Sequence, residues 1–322
     1  MAVYKAQKVA WLEKTRWANC YNVPADLDAE SELPIDVDVY YMKWESFRNR
    51  AATGQVFCKP IVIKQRFSDS GMHTLQCCMP SLGPKRKIDV QDSKSGKCHA
   101  MDITEFCDAQ SGNAINLRIY AGARAPLFTH LKRFRLLEIL VERAIDIGPG
   151  KRTHREPQEV FDRLGFDLLG FPGAFSRPHV NALSGIWARC LEGSKAWIFV
   201  FGMRDEDWDD FASKGPSWTP GDKGRMIVLE KDDALLMPPG TRVLHTVFTI
   251  EPSLMEGGMV WDECNIPALL DELLWLSKNQ VGTNETIAYQ LPSIIDALES
   301  WDEQREEGKD SLKKVQGRVS LS

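Results

Sequence analysis

Residues 176–197, SRPHVNALSGIWARCLEGSKAW, decide how this chain is read. The stretch holds His179 and Asn181 two positions apart, then an apolar run, then Gly193-Ser194-Lys195. Alternate residues of an extended chain project to one side, so a strand here presents His179 and Asn181 to a common site. A second stretch, residues 237–258, MPPGTRVLHTVFTIEPSLMEGG, supplies His245 on another strand. Two histidines and a carboxylate on one face are the donor set that holds non-haem Fe(II), with positions left open for oxygen and a chelating co-substrate. Lys195 opens the strand after Gly193, where its ammonium can pair with the far carboxylate of a dicarboxylic co-substrate, because a buried cation needs an anionic partner. Ser176 offers a hydroxyl donor to the same carboxylate. The two stretches are expected to close one pocket around a divalent metal and a small anion.

Working outward, the chain from 176 to 262 reads as strand after strand: 176–191, 195–202, 225–230, 233–237, 242–249 and 256–262. Proline and glycine mark most of the breaks, as at Pro238-Pro239-Gly240. Short strands with no long helix between them predict an antiparallel sandwich or barrel. Upstream, the pattern predicts helices over 1–20, 44–50, 102–109 and near 159–164. It predicts strands at Ile61–Ile63, around Thr74–Met79, at Lys87–Val90 and over Ala114–Tyr120. In the last of these Asn116, Arg118 and Tyr120 share one face. Leu127 to Ile145 reads as a single amphipathic helix with its stripe at 127, 131, 134, 137, 141 and 145, stopped by Gly148-Pro149-Gly150. Beyond Asp262 two apolar stripes, one following Pro267 and one starting at Leu291, predict helices that cap the barrel or build a homodimer interface. The divisions expected are a wrapping segment over 1–44, a β body over 45–263 carrying the inserted helix 127–145, and C-terminal helices with a polar tail over 264–322.

Bulk properties exclude several classes. The sequence is 43% hydrophobic and 26% charged, an ordinary globular balance. Its net charge of −5 argues against a nucleic-acid partner. The first residues lack the apolar run of a signal peptide, and no stretch reaches membrane-spanning length, so an intracellular protein, cytoplasmic or nuclear, is expected. The eight cysteines show no C-x-x-C spacing, which points to free, mostly buried thiols and not to zinc. His73, His99 and His130 read as structural residues, and the polar surroundings of His154 and Glu156 set that pair below His179.

With these residues in place, the chain resembles the Jumonji-C, cupin-like Fe(II)/2-oxoglutarate oxygenases, over roughly residues 45–263. The resemblance rests on KPIVIK (59–64), AINLRI (114–119), the histidine strand ending in GSKAW (193–197), and the closing MPPGTRVLHTVFTIEPSLMEGG. It implies a mainly β fold with flanking helices and a double-stranded β-helix (jelly-roll, cupin) core. It further implies His179 and His245 as iron ligands, with Asn181 in the place of the metal carboxylate. Lys195, Ser176 and Asn116 are then assigned to 2-oxoglutarate. The implied reaction converts 2-oxoglutarate and dioxygen to succinate and carbon dioxide while a small molecule or protein side chain is hydroxylated or demethylated. Asn181 departs from the pattern, because a carboxamide brings no negative charge to a divalent ion. Three readings of it follow: a degenerate, non-catalytic binding scaffold; an active variant with a weak or replaced third ligand; or a substitution introduced to stall turnover. A non-redox cupin is a further alternative, in which Lys195 has no evident task.

Overall fold

The structure, a computed structural model, describes residues 25–27, 38–64, 75, 82–83, 86–92, 98–115, 117, 125–147, 164–221, 223–283 and 291–302. The helices expected over 1–20 and near 159–164, most of the 74–79 strand, Asn116, and the tail past Asp302 lie outside the described residues. Strands β1 (Ala25–Leu27), β2 (Tyr40–Lys43), β3 (Ile61–Lys64), β4 (Lys87–Gln91), β5 (Cys98–Asp102) and β6 (Asn113–Ile115) precede the region of dense strands. Helix α1 (Trp44–Ala52) follows β2, and α2 (Ile103–Ala109) follows β5. After α3 (Leu136–Ile147) come β7 (Gly165–Gly170), β8 (Phe175–His179), β9 (Ile186–Glu192) and β10 (Ser194–Val200). Helix α4 (Asp205–Lys214), β11 (Gly224–Glu230), β12 (Asp233–Met237), β13 (Leu244–Thr249) and β14 (Ser253–Met259) lead to the C-terminal helices α5 (Ile266–Lys278) and α6 (Leu291–Asp302).

The protein is mainly β, built on two sheets. A ten-stranded sheet runs β1-β2-β3-β12-β9-β14-β7-β6-β4-β5, and a four-stranded sheet runs β11-β10-β13-β8. From β7 to β14 the chain alternates between them, with only β10 and β11 staying in one sheet as an antiparallel pair. The alternation follows from sequence: β10 (SKAWIFV) and β12 (DALLM) are buried along their whole length, so each needs cover on both faces. Between the sheets Ile186, Ala188, Trp197, Phe199, Leu235 and Met255 form one cluster. Each of the larger ones, such as Ile186, Phe199, Leu235 and Met255, contributes roughly 1.5–3 kcal/mol by leaving water. Gly193 makes the tight β9–β10 turn at φ 78°, and a Cβ there would run into the backbone carbonyl of Pro252. Only glycine fits, and the turn fixes which way Lys195 faces.

Helices cover the remaining faces. Phe47 of α1 packs with Met42, Ile61 and Leu236 on the outer face of the large sheet. Phe106 of α2 covers Ile88, Val90 and Ala114. Leu269, Leu270 and Leu273 of α5 and Ile294, Ile295 and Leu298 of α6 join Leu137 and Leu140 of α3 over one end of the sandwich. The two C-terminal stripes are thus buried as a cap.

Four expectations are corrected. The helix predicted over 127–145 starts only at Leu136, after two short 3-10 turns, Leu127–His130 and Lys132–Phe134. The cause is Arg133, whose buried guanidinium turns inward to Asp262 and to the carbonyls of Ala51 and Gln55. Leu127, placed in the stripe, is 46% exposed. The strand predicted over 176–191 breaks at 180–185 into β8 and β9, with Ser184 at φ 70°. The run of strands is also interrupted by α4, and β7 was not anticipated at all. Among the described residues Cys58, Cys98, Cys107, Cys190 and Cys264 are in no disulfide, as expected, but of these only Cys190 is buried. His99 and His130 are exposed. No helix among the described residues is long and apolar enough to cross a membrane.

Candidate active site

The antiparallel pairing of β8 with β13 sets His179 directly opposite His245. Their rings lie 4.2 Å apart, centroid to centroid, at an interplanar angle of 54°. Each Nδ1 meets a main-chain carbonyl two residues back: His179 that of Arg177 at 2.6 Å, His245 that of Val243 at 3.0 Å. A carbonyl only accepts, so each Nδ1 carries the hydrogen and each Nε2 keeps a free lone pair. Burial holds the His179 imidazole down to about 4, and burial together with its neighbour holds His245 well below the ordinary histidine range. Two neutral, oriented imidazoles with free lone pairs are what a divalent transition ion requires of histidine ligands. Trp197 stacks on His245 at 5.5 Å and 20°, fixing that ring from the side.

Asn181 lies just past the end of β8, not on it, so it is not the same-strand partner that the i, i+2 argument supposed. Val180 leaves the β8–β13 pairing and bonds instead to the Gly282 carbonyl, and Asn181 opens the turn closed by Ser184. Its carboxamide, 7% exposed, still lines the cavity with the two histidines. The donors that this end of the cavity offers a divalent metal are therefore two imidazoles and a neutral carboxamide. Among the described residues no group of three or more His, Cys, Asp and Glu could hold a metal ion.

A cavity of about 310 Å³ runs from the histidines to Lys195. Register explains the layout. Along β13, His245 and Val247 line the cavity and Thr249 follows in the same alternation to meet Asn113, and β10 pairs Phe199 with His245 and Lys195 with Thr249. Four residues of strand, about 13 Å, separate the two ends. Lys195 is 1% exposed, and its ammonium donates to Asn113 Oδ1 at 3.2 Å. No carboxylate among the described residues lies within ion-pair distance of it. Burial lowers its pKa to about 7, with the nearby Cys190 pulling weakly the other way. An ammonium has three donors, and among the described residues this one meets a single neutral acceptor, Asn113. The arrangement suits a ligand that brings an anionic oxygen.

Ser176 sits at the same end, donating to Gln91 Oε1 at 3.2 Å and accepting a long 3.5 Å bond from Asn113 Nδ2. The sequence-derived residues thus converge: His179, His245, Asn181, Lys195 and Ser176 all line one cavity. Asn116 is outside the described residues, and Asn113, three positions earlier, is what holds Lys195. Asn113, Thr249 and Gln91 escaped the sequence reading. For Thr249 a signal existed, since stepping by two from His245 reaches it. For Asn113 and Gln91 no local pattern distinguishes a site residue from a turn or strand-end polar residue.

No family model matches the chain. It is similar to "KK-1 biosynthesis cluster protein D" of Curvularia clavata, at 42% identity over 312 residues. The match covers 90% of this chain but 31% of that protein, so the chain spans about a third of its relative's length.

Proposed function

We propose that this chain is a metal-dependent, 2-oxoglutarate-binding oxygenase of the Jumonji-C, cupin-like kind, with Fe(II) as its metal. The observation that carries the reading is the pairing, in one cavity, of two carbonyl-fixed neutral histidines with a buried lysine that has no acidic partner among the described residues. The strand alternation from β7 to β14 supports a double-stranded β-helix core of the jelly-roll type. His179, His245 and Asn181 would hold the metal, which when bound supplies activation of dioxygen against the 2-oxo acid. The chain's own part is to orient and to exclude. The Arg177 and Val243 carbonyls keep the imidazole lone pairs turned inward. Lys195 anchors the far carboxylate, Trp197 braces His245, and Ile186, Val247 and Met255 give the cavity apolar walls that keep water out. The relative's name refers to a biosynthesis cluster, which supports a small-molecule substrate for this chain.

A second reading has its own observation. Asn181 stands in the place of the carboxylate, and among the described residues no group of three or more His, Cys, Asp and Glu could hold a metal, which favours a catalytically impaired member that retains ligand binding. Anaerobic titration with Fe(II) and 2-oxoglutarate separates the two. An active site gives the weak visible charge-transfer band of the chelated ferrous ion in the wild-type protein. A band seen only in Asn181→Asp identifies the impaired form, and no band in either protein removes the oxygenase reading.

A further inference from the structure

The Lys195 end of the cavity is assembled from four strands and both sheets. Asn113 of β6 pairs across the large sheet with Gly170 of β7, and Lys195 of β10 pairs across the small sheet with Thr249 of β13. Asn113 Oδ1 is the meeting point, accepting from Lys195 Nζ at 3.2 Å and from Thr249 Oγ1 at 3.4 Å. The orientation of this amide is fixed from its far side, because Nδ2 donates to Ser176, which in turn donates to Gln91 of β4. A flipped amide would aim its hydrogens at an ammonium and leave Ser176 without its donor. Space is equally constrained: a Cβ on Gly170 would come within 2.7 Å of Asn113 Oδ1 and 2.9 Å of Lys195 Nζ.

We propose that Asn113 sets the charge selectivity of this end: it holds the Lys195 ammonium with a neutral oxygen and so reserves the cation for a ligand that carries a carboxylate. The inference rests on the reading of Lys195 as an anion receptor and adds the residue that keeps the receptor open. An aspartate of the same shape would close an internal ion pair across the same 3.2 Å contact and displace the ligand's carboxylate. Strands β4 and β6, which lie outside the β7–β14 sandwich, are on this account part of the binding site.

The test compares Asn113→Asp, Asn113→Ala and Lys195→Met with the wild type, each saturated with Mn(II) and titrated calorimetrically with 2-oxoglutarate and with succinate. The expected result is a loss of at least 100-fold in diacid affinity for Asn113→Asp and less than 10-fold for Asn113→Ala. Asn113→Asp binding within threefold of the wild type, while Lys195→Met does not bind, overturns the role of Asn113 and leaves the anion reading standing. Wild-type affinity retained in Lys195→Met, or no diacid binding by the wild type, overturns both. A ligand-free measurement stands beside it: Asn113→Asp raises the melting temperature when Lys195 is present and lowers it in the Lys195→Met background. A lowered melting temperature with Lys195 present contradicts the proposal by itself.

Discussion

A single buried ammonium dominates the energetics of the site. Lys195 titrates near 7 in the folded chain against 10.5 in the open chain, so between those values the unfolded state holds a proton that the folded state has lost. Stability therefore rises with pH across that window, and below about 7 the whole penalty of burying the charge is present, on the order of 5 kcal/mol. The expected outcome is that Lys195→Met melts at a higher temperature than the wild type at pH 6 and loses the pH dependence between 7 and 10, as read by scanning calorimetry. A carboxylate ligand needs the protonated amine, so diacid affinity falls as pH rises above about 7, approaching tenfold per pH unit; titration at pH 6, 7, 8 and 9 checks this. Gly170 is the other sensitive position. Gly170→Ala forces Asn113, Thr249 and Lys195 apart, at a cost of about 1–3 kcal/mol in denaturant unfolding and with loss of diacid binding.

At the scale of elements, the histidines are held by strand register and the segments before and after them by a helix. Glu272 of α5, 3% exposed, accepts from Ser184 Oγ and from the Gly240 main-chain amide, tying the turn after Asn181 to the turn before His245. Its burial raises its pKa. Glu272→Ala takes the acceptor from the Ser184 hydroxyl, while the Gly240 amide keeps Ser184 Oγ at 2.8 Å, and is expected to destabilise the protein by about 1–3 kcal/mol, with weaker Mn(II) binding. Glu272→Gln keeps an acceptor in place and is expected to recover most of both, measured by melting and metal titration. Strands with one dominant signal were legible in the sequence, as at Ile61–Ile63 and around His245. The β8–β9 break was not, because Asn181, a turn former with Ser184 and Gly185, reads equally as the strand partner of His179; Ser184, at φ 70°, has its hydroxyl held by Glu272, 88 positions away. The 127–135 segment failed for a similar reason: its periodicity is helical, but the Arg133–Asp262 pair overrides it from 129 positions away.

At the scale of the molecule, one core cluster joins α3, α5 and α6 to Val180, Leu183, Val200 and Leu244, residues on or beside the strands that carry the site. The cap and the site are therefore expected to unfold together. Leu270→Ala, at a position with no solvent exposure, should lower stability by about 2–5 kcal/mol in denaturant titration while keeping a single transition. The mainly β body, the C-terminal helices and the histidine–lysine constellation were readable because each is written in local pattern or in residue type. The anion end was only half readable, since Asn113 and Gln91 acquire their roles from sheet pairings over long separations. A crystal structure of the protein grown with Mn(II) and 2-oxoglutarate tests the whole account most directly. Metal density between the Nε2 atoms of His179 and His245, with the far carboxylate on Lys195 Nζ, is the predicted result; metal bound elsewhere, or the diacid lying away from Lys195, would contradict it.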